Sequence, residues 1–225
     1  IIAKIQTDFP TKFGIPRQSG LVESLKGVIT FEPKYRNPQG VYGLDGYSYI
    51  WLLWSFSENH RQGWSATVKP PRLGGNKRVG VFATRSPFRP NPIGLSCVRL
   101  DEIQWDTPQG PMLVLSGADL MDGTPVFDIK PYVPYADCHP EATGGFTEQT
   151  GDFLLEVSFP PALLAQIPAS QREALLGVLA HDPRPSYQHD PERIYGLSFG
   201  GYNVRFRVDG KLLTVCQLEP FPASP

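Results

Sequence analysis

The sequence has few cysteines, few histidines and no excess of charge of either sign. Three cysteines in 225 residues, without C-x-x-C spacing, do not form a disulfide framework, so we expect reduced thiols and a cytoplasmic protein. The four histidines follow no H-E-x-x-H or similar pattern, so no metal site is predicted. A formal net charge of −1 provides no overall cationic field, so any nucleic acid must bind to local basic patches.

Long apolar runs are also missing, whereas proline and glycine are abundant. No window of about eighteen apolar residues occurs, so no membrane span is expected, and no signal-peptide pattern is seen. The 24 prolines and 22 glycines argue against many long helices, because both residues destabilise helix interiors. The length and the 40% hydrophobic content allow one or two domains with their own cores.

Short apolar or alternating runs, separated by turn residues, fill the first 160 residues and are typical of an all-β barrel or sandwich. Strands are predicted at Gly27–Phe31, Ser48–Phe56, Arg78–Thr84, Ser96–Gln104, Met112–Ala118, Val126–Tyr132 and Phe153–Phe159. The second of these is apolar throughout, so we expect both of its faces to be buried. A helical segment is the alternative there, which the aromatic and β-branched content disfavours.

The composition changes near residue 138, where a polar, aperiodic stretch (138–151) resembles a linker. Ser170 and Glu173 then form a capping-box pattern that predicts one helix, with an apolar stripe at Leu175, Leu176 and Leu179 and an end at Asp182-Pro183. A hairpin is predicted at the end of the chain. In its first strand, Val204, Phe206 and Val208 alternate with the polar residues Asn203, Arg205 and Arg207. Asp209-Gly210 is the predicted two-residue turn, and Leu212–Cys216 is the predicted second strand.

Residues 80–96 (GVFATRSPFRPNPIGLS) are the most informative stretch. Each X-Pro step biases the preceding residue away from helix, so Pro87, Pro90 and Pro92 stiffen a loop that contains Arg85 and Arg89. A stiff backbone with guanidinium groups suits binding of a carboxylate or phosphate, because little ordering entropy is lost. The alternative is a proline-rich connection with solvated arginines.

Residues 80–96, followed by DGTPVFDIKPY (122–132), resemble the paired signature of the TrmO (YaeB/TsaA-like) family of S-adenosylmethionine-dependent tRNA N6-methyltransferases. Residues 181–210 are similar to the extra domain of the bacterial members. The resemblance implies a small antiparallel β-barrel domain (1–137), followed by a smaller α+β domain (138–225) that binds tRNA, so the fold class is mainly β. It also implies a homodimer. No G-x-G-x-x-G cradle is present, so loops at a barrel rim must hold the cofactor.

The resemblance implies that S-adenosylmethionine is held by four segments of this chain. They are Pro16, Arg17 and Gln18; Ser57 and Glu58; Arg85 and Leu95; and Asp122, Gly123, Thr124 and Pro125. Ser57-Glu58 departs from the His-Gln pair that family members often have. Taken alone, the first segment could be a surface turn, Glu58 a solvated charge, Leu95 a core residue and DGTP an ordinary turn.

The implied substrate is N6 of a threonylcarbamoylated adenosine at position 37, beside the anticodon of threonine tRNA. We hypothesise that Arg89 binds the threonyl carboxylate, while Asn91 faces the RNA or the target base. No residue is identified as the catalytic base, although Asp122, Asp128 and Tyr132 are possible. In the second domain, Arg184, Tyr187, Arg193, Arg205 and Arg207 are predicted to contact RNA through charge and stacking, or else to be ordinary exposed residues.

Two other functions compete with this interpretation. One is an RNA-binding module without a cofactor, against which the PRQ, TRSPFRPNP and DGTP segments argue. The other is a barrel methyltransferase for a small molecule, which would not need the whole C-terminal region. Cofactor titration and a tRNA-shift assay would separate the three.

Overall fold

The protein contains a closed six-stranded barrel, a four-stranded sheet (called the second sheet below) and a short two-stranded sheet, as seen in a computed structural model that describes residues 1–58, 63–70, 73, 77–149, 153–185, 188 and 190–221. The strands are β1 (Ala3–Thr7), β2 (Lys26–Phe31), β3 (Tyr49–Ser55), β4 (Thr67–Val68), β5 (Val79–Gly80), β6 (Ile93–Gln104), β7 (Met112–Ser116), β8 (Pro125–Pro131), β9 (Glu156–Ser158), β10 (Tyr195–Phe199), β11 (Tyr202–Asp209) and β12 (Leu212–Pro220). The helices are α1 (Pro134–Asp137), α2 (Pro161–Leu164) and α3 (Ala169–Ala180).

The barrel is antiparallel, with the strand order β1-β2-β7-β6-β3-β8. Closure leaves no unpaired edge, and alternate residues of each strand fill the interior. Ile5, Ile29, Leu52 and Leu113 are among the fully buried side chains of this core. The predicted mainly β fold with an antiparallel barrel is confirmed.

The second sheet has the order β10-β11-β12-β9, with β9 parallel to β12 and the other pairs antiparallel. Its buried face shares a core with α3, where Leu175 and Leu179 contact the group that includes Phe199 and Phe206. None of the helices within the described residues is long and apolar enough to cross a membrane.

The connection between β1 and β2 (residues 8–25) belongs to the barrel by sequence but packs on the second sheet. Phe9, Val22 and Leu25 are buried in the core of the C-terminal region. Asp8 accepts hydrogen bonds from the Gln171 side chain (2.7 Å, Oδ1 to Nε2) and, through its carbonyl, from the Gly200 amide (2.8 Å). This β1–β2 connection therefore joins the two sheets.

Several sequence predictions need correction. The predicted strand Arg78–Thr84 is a two-residue strand (Val79–Gly80) followed by a 3-10 turn over Val81–Ala83, in which Phe82 is 71% exposed. Strand β3 buries only one face: Ile50, Leu52 and Trp54 point inward, and the intervening residues are not buried. The predicted Phe153–Phe159 strand is shorter and lies in the second sheet.

The helix and hairpin predictions are right in position and wrong in detail. Helix α3 follows Pro168 and has no side-chain cap, so Ser170 lies inside the first turn and the capping box is absent. The helix ends before Asp182-Pro183 as predicted. In the hairpin, Asp209 pairs with Leu212, so the two-residue turn is Gly210-Lys211, one residue later than predicted. Strands β1, β4 and β10 were not predicted.

Candidate functional site

A cavity of about 1060 Å³ opens where β3 ends and β6 begins. This size is typical of sites for ligands as large as a nucleoside derivative. Its walls come from the β1–β2 connection, the end of β3, the proline-rich loop (residues 84–92), the start of β6 and the segment after β7. The predicted site residues that line it are Pro16, Arg17, Gln18, Ser57, Glu58, Arg85, Arg89, Asn91, Leu95 and Thr124.

The β1–β2 connection and the proline-rich loop meet at the cavity. The Arg85 guanidinium donates a hydrogen bond to the Gln18 side-chain oxygen across 67 positions of sequence. Pro16 is buried, whereas Arg17 and Arg85 are exposed. Two segments that the sequence predicts to bind one ligand are therefore in direct contact.

Local hydrogen bonds hold the proline-rich loop in one shape. Thr84 Oγ1 donates to the Val81 carbonyl (2.8 Å) and accepts from the Ser86 amide (3.2 Å). Arg89 uses one guanidinium nitrogen to donate to the Thr84 carbonyl (3.0 Å). Because its guanidinium has five N–H donors, Arg89 retains donors for a ligand while its position is fixed.

A polar chain lies in the cavity wall between β3 and β6. Trp54 Nε1 donates to Ser96 Oγ (3.0 Å), and Ser96 Oγ donates to Asp119 Oδ1 (2.6 Å). Burial raises the pKa of the Asp119 carboxyl to about 6, a rise that the Ser96 hydrogen bond and the Arg85 charge oppose. Ionised carboxylates are costly to bury, so this group is basic for an aspartate.

Only part of the DGTP segment reaches the cavity. Thr124 is buried and lines it, and its hydroxyl donates to the Met121 carbonyl (2.7 Å). The Asp122 side chain accepts a hydrogen bond from the Thr7 amide (3.0 Å), and Gly123 adopts a φ of 74°. Both residues therefore help to form the turn before β8. Pro125 begins β8. Asp122, Gly123 and Pro125 are not among the residues that line the cavity.

The residues considered as a catalytic base lie elsewhere. Asp128 pairs with Lys130 (3.1 Å) on β8, and Tyr132 packs against Tyr49 (ring centroids 6.3 Å apart). Neither of them, nor Asp122, lines the cavity. Sequence reasoning missed Asp119. One signal was available, because this acidic residue lies between two apolar ones (Ala118 and Leu120), just after a predicted strand.

The basic residues of the C-terminal region differ in their surroundings. Arg205 and Arg207 lie on the solvent side of β11, with Arg205 Nη1 3.8 Å from Glu219 Oε2. Arg193 lies over the Tyr195 ring, 5.4 Å from its centroid. Tyr187 falls outside the described residues.

Arg184, which was predicted to contact RNA, is buried. It is only 9% exposed, and its guanidinium donates two hydrogen bonds to the carboxylate of Asp182 (2.8 and 2.9 Å). A buried arginine that is already paired with a carboxylate is a structural element rather than a phosphate contact. Asp182 itself has a φ of 50° at the end of α3.

Comparisons with known proteins agree with this geometry. Residues 4–138 match the family model of the tRNA-methyltransferase O N-terminal domain, and residues 153–221 match that of the TrmO C-terminal domain. The tRNA (adenine(37)-N6)-methyltransferase of Escherichia coli K12 is 40% identical over 97% of this chain and 96% of its own. The enzyme of that name from Eikenella corrodens is 44% identical over 72% of this chain and 92% of its own.

Solved structures show the same relationship. A crystal structure of TrmO from Pseudomonas aeruginosa superposes with a TM-score of 0.78 at 32% sequence identity, covering 98% of this chain and 95% of that one. The two family models together span almost the whole sequence, in the order in which the two sheets occur. The chain therefore belongs to the TrmO family of tRNA-methyltransferases.

Proposed function

We propose that this protein transfers a methyl group from S-adenosylmethionine to N6 of threonylcarbamoyladenosine at position 37 of threonine tRNA. The observation that carries the proposal is the meeting of Gln18 and Arg85 at one cavity, beside Leu95 and Thr124. These four residues come from three of the distant segments that line the cavity. The names of the relatives, tRNA (adenine(37)-N6)-methyltransferase, support the reaction class.

The residues at the cavity fit the chemical groups of S-adenosylmethionine. Arg17, Gln18 and Arg85 offer donors for the carboxylate of the methionine part. Leu95 is 51% exposed at the start of β6 and offers an apolar surface for the adenine ring. Glu58 lies at the opening, where a carboxylate suits the ribose hydroxyls or the ammonium group. When bound, the cofactor supplies an activated methyl group on a sulfonium.

The protein's own contribution is mainly alignment. Because a sulfonium is already a reactive electrophile, holding donor and acceptor in line supplies much of the rate enhancement. The hydrogen-bonded proline-rich loop and the β1–β2 connection, held by the second sheet, provide a wall that is ordered in advance. Little ordering cost then opposes binding.

Arg89 is the proposed partner of the threonyl carboxylate. It lines the cavity, is anchored to Thr84 through one nitrogen and is close in sequence to Arg85. A guanidinium recognises a carboxylate with two parallel hydrogen bonds, which gives orientation as well as affinity. In this proposal, Asn91 faces the base or the neighbouring nucleotide from the same loop.

Arg205 and Arg207 are the proposed phosphate contacts of the tRNA, and Arg193 with Tyr195 borders the same sheet. Arg184 is left out because it is buried against Asp182.

A homodimer with the cofactor site near the subunit boundary, and a cytoplasmic location, remain predictions. Light scattering on the purified protein tests the dimer.

Calorimetric titration with S-adenosylmethionine tests the cofactor site. Arg85→Ala should weaken binding about tenfold or more, because a hydrogen bond to a charged group contributes about 1.5–3 kcal/mol. Arg78→Ala is the matched control, since Arg78 donates to Thr67 and does not line the cavity. Equal affinities for both variants and wild type, or no binding by the wild type, would contradict the proposed site.

A further inference from the structure

We propose that Asp119 accepts the proton that leaves N6 during methyl transfer. The inference deepens the function proposed above and rests on it, because it assigns a catalytic role within the same cavity. Its basis is the position of one carboxylate in the cavity wall and the hydrogen bonds that hold it there.

The surrounding structure fixes the position of Asp119. Ser96, which is 1% exposed, donates to Oδ1 and is itself held by Trp54 Nε1. The Ser19 backbone, in the β1–β2 connection, favours the ionised form of this carboxyl and so lowers its pKa. The backbone next to Asp119 is also fixed, because the Gly117 amide donates to the Leu25 carbonyl (2.8 Å). A carboxylate has about four lone-pair positions, so these bonds leave capacity for one more donor.

Among the described residues, few groups in the cavity could accept a proton near neutral pH. The charged ones are the cations Lys12, Arg17, Arg85 and Arg89 and the carboxylates Glu58 and Asp119. Glu58 is exposed to solvent. Asp119 lies against β6 and the β1–β2 connection, so it is the carboxylate on the inner side of the site.

The electrostatic surroundings give this carboxyl a suitable basicity. Burial raises the pKa of Asp119 to about 6, whereas the Arg85 charge and the Ser96 hydroxyl favour the ionised form. At neutral pH the group is therefore mostly ionised, and it is more basic than an ordinary aspartate. A general base works best when its pKa lies near the working pH.

The proposed step balances in atoms and charge. The N6–CH3 bond forms as the bond from that methyl group to sulfur breaks, and the sulfur keeps the electron pair and becomes neutral. The N6–H bond breaks, its electron pair stays on nitrogen, and the proton goes to a carboxylate oxygen of Asp119. An acylated N6 is a weak nucleophile because its lone pair is delocalised, so loss of this proton must accompany attack. The proton then passes from the carboxyl to water when the product leaves.

Asp119→Asn tests this role, because the amide keeps the shape and can still accept from Ser96. The rate at saturating cofactor and tRNA should fall about a hundredfold or more, as expected for the loss of a general base. Asp119→Glu should retain part of the rate. Asp106→Asn, an exposed residue in the β6–β7 loop, is the matched control and should behave as wild type. Affinity for S-adenosylmethionine and for S-adenosylhomocysteine, measured by calorimetry, should change less than threefold in Asp119→Asn.

The wild-type protein supplies an independent readout. A carbon-13 NMR titration of the Asp119 carboxyl should give a midpoint near 6, and the rate should rise with pH through an acid limb that is absent in Asp119→Asn. A rate above a third of wild type in Asp119→Asn would overturn the proposal. So would a selective loss of affinity for S-adenosylmethionine at an unchanged saturating rate, which would make Asp119 a counter-ion of the sulfonium. If the wild type methylates no tRNA, the proposed function fails, whereas an active wild type with an equally active Asp119→Asn variant overturns only this role.

Discussion

Phe9 packs edge-on against Phe199, with ring centroids 5.2 Å apart, and so ties the β1–β2 connection to the second sheet. The same connection carries Pro16, Arg17 and Gln18 into the cavity. The second sheet thus supports one wall of the proposed cofactor site, although it contributes no lining residue of its own among those described.

Phe199→Leu should therefore weaken S-adenosylmethionine binding although residue 199 lies outside the cavity. The smaller side chain loosens the support of Phe9, and calorimetry should show a raised Kd. Phe206→Leu is the matched control, since Phe206 is equally buried in that sheet but stacks on Tyr195 instead. Both changes should lower the free energy of unfolding by a similar amount, about 1 kcal/mol. An equal effect of both on Kd would mean that the second sheet does not specifically support the site.

Gly94→Ala should disturb the cavity through Trp54. Gly94 faces Trp54 across the β3–β6 pair, and a Cβ there would overlap the indole ring. We expect a loss of about 1–3 kcal/mol in the free energy of unfolding and weaker cofactor binding, because Trp54 lines the cavity and holds Ser96. Gly40→Ala is the control, since its added Cβ would contact nothing. Thermal unfolding and calorimetry measure both effects, and unchanged values for Gly94→Ala would contradict the packing described.

Arg89→Ala should remove the preference for modified tRNA. Without the guanidinium, the threonyl carboxylate loses its proposed partner, so kcat/KM should fall for threonylcarbamoylated tRNA and stay nearly constant for tRNA that lacks the group. The measurement is methyl transfer to both tRNAs under identical conditions. An undiminished preference in the variant would remove Arg89 from substrate recognition.

Arg205→Glu with Arg207→Glu should weaken tRNA binding and make its dependence on salt less steep. Each lost phosphate contact lowers the slope of log K against log[salt] by about 0.7–0.9. Lys4→Glu with Lys34→Glu produces the same change in net charge on the barrel, at residues that do not line the cavity, and serves as control. Filter binding or fluorescence anisotropy at several salt concentrations gives the slope. If both double variants reduce it equally, the β11 arginines have no specific role.

The barrel and many of the residues that line its cavity could be predicted because the signals are local. Short apolar or alternating runs predict β2, β3, β6, β7 and β8, and the closely spaced prolines predict the ordered loop that holds Arg85 and Arg89. These features depend on neighbours a few residues away. The resemblance to a known family then predicted which segments meet.

The remaining features depend on contacts between distant parts of the chain. Arg184 was expected to be accessible to RNA, because no sequence pattern indicates that it is buried against Asp182. Asp119 was missed because its basicity comes from burial beside Ser96 and the β1–β2 connection. The apolar residues Phe9 and Val22 precede β2 in sequence, and only the fold places them in the C-terminal core.

Methyl transfer from labelled S-adenosylmethionine to threonine tRNA, with and without threonylcarbamoyl at position 37, tests the central claim most directly. Nucleoside mass spectrometry of the product then locates the methyl group. The account predicts incorporation into the modified tRNA alone, at N6 of adenosine 37. Incorporation into neither tRNA while cofactor binding is intact, or equal incorporation into both, would contradict it.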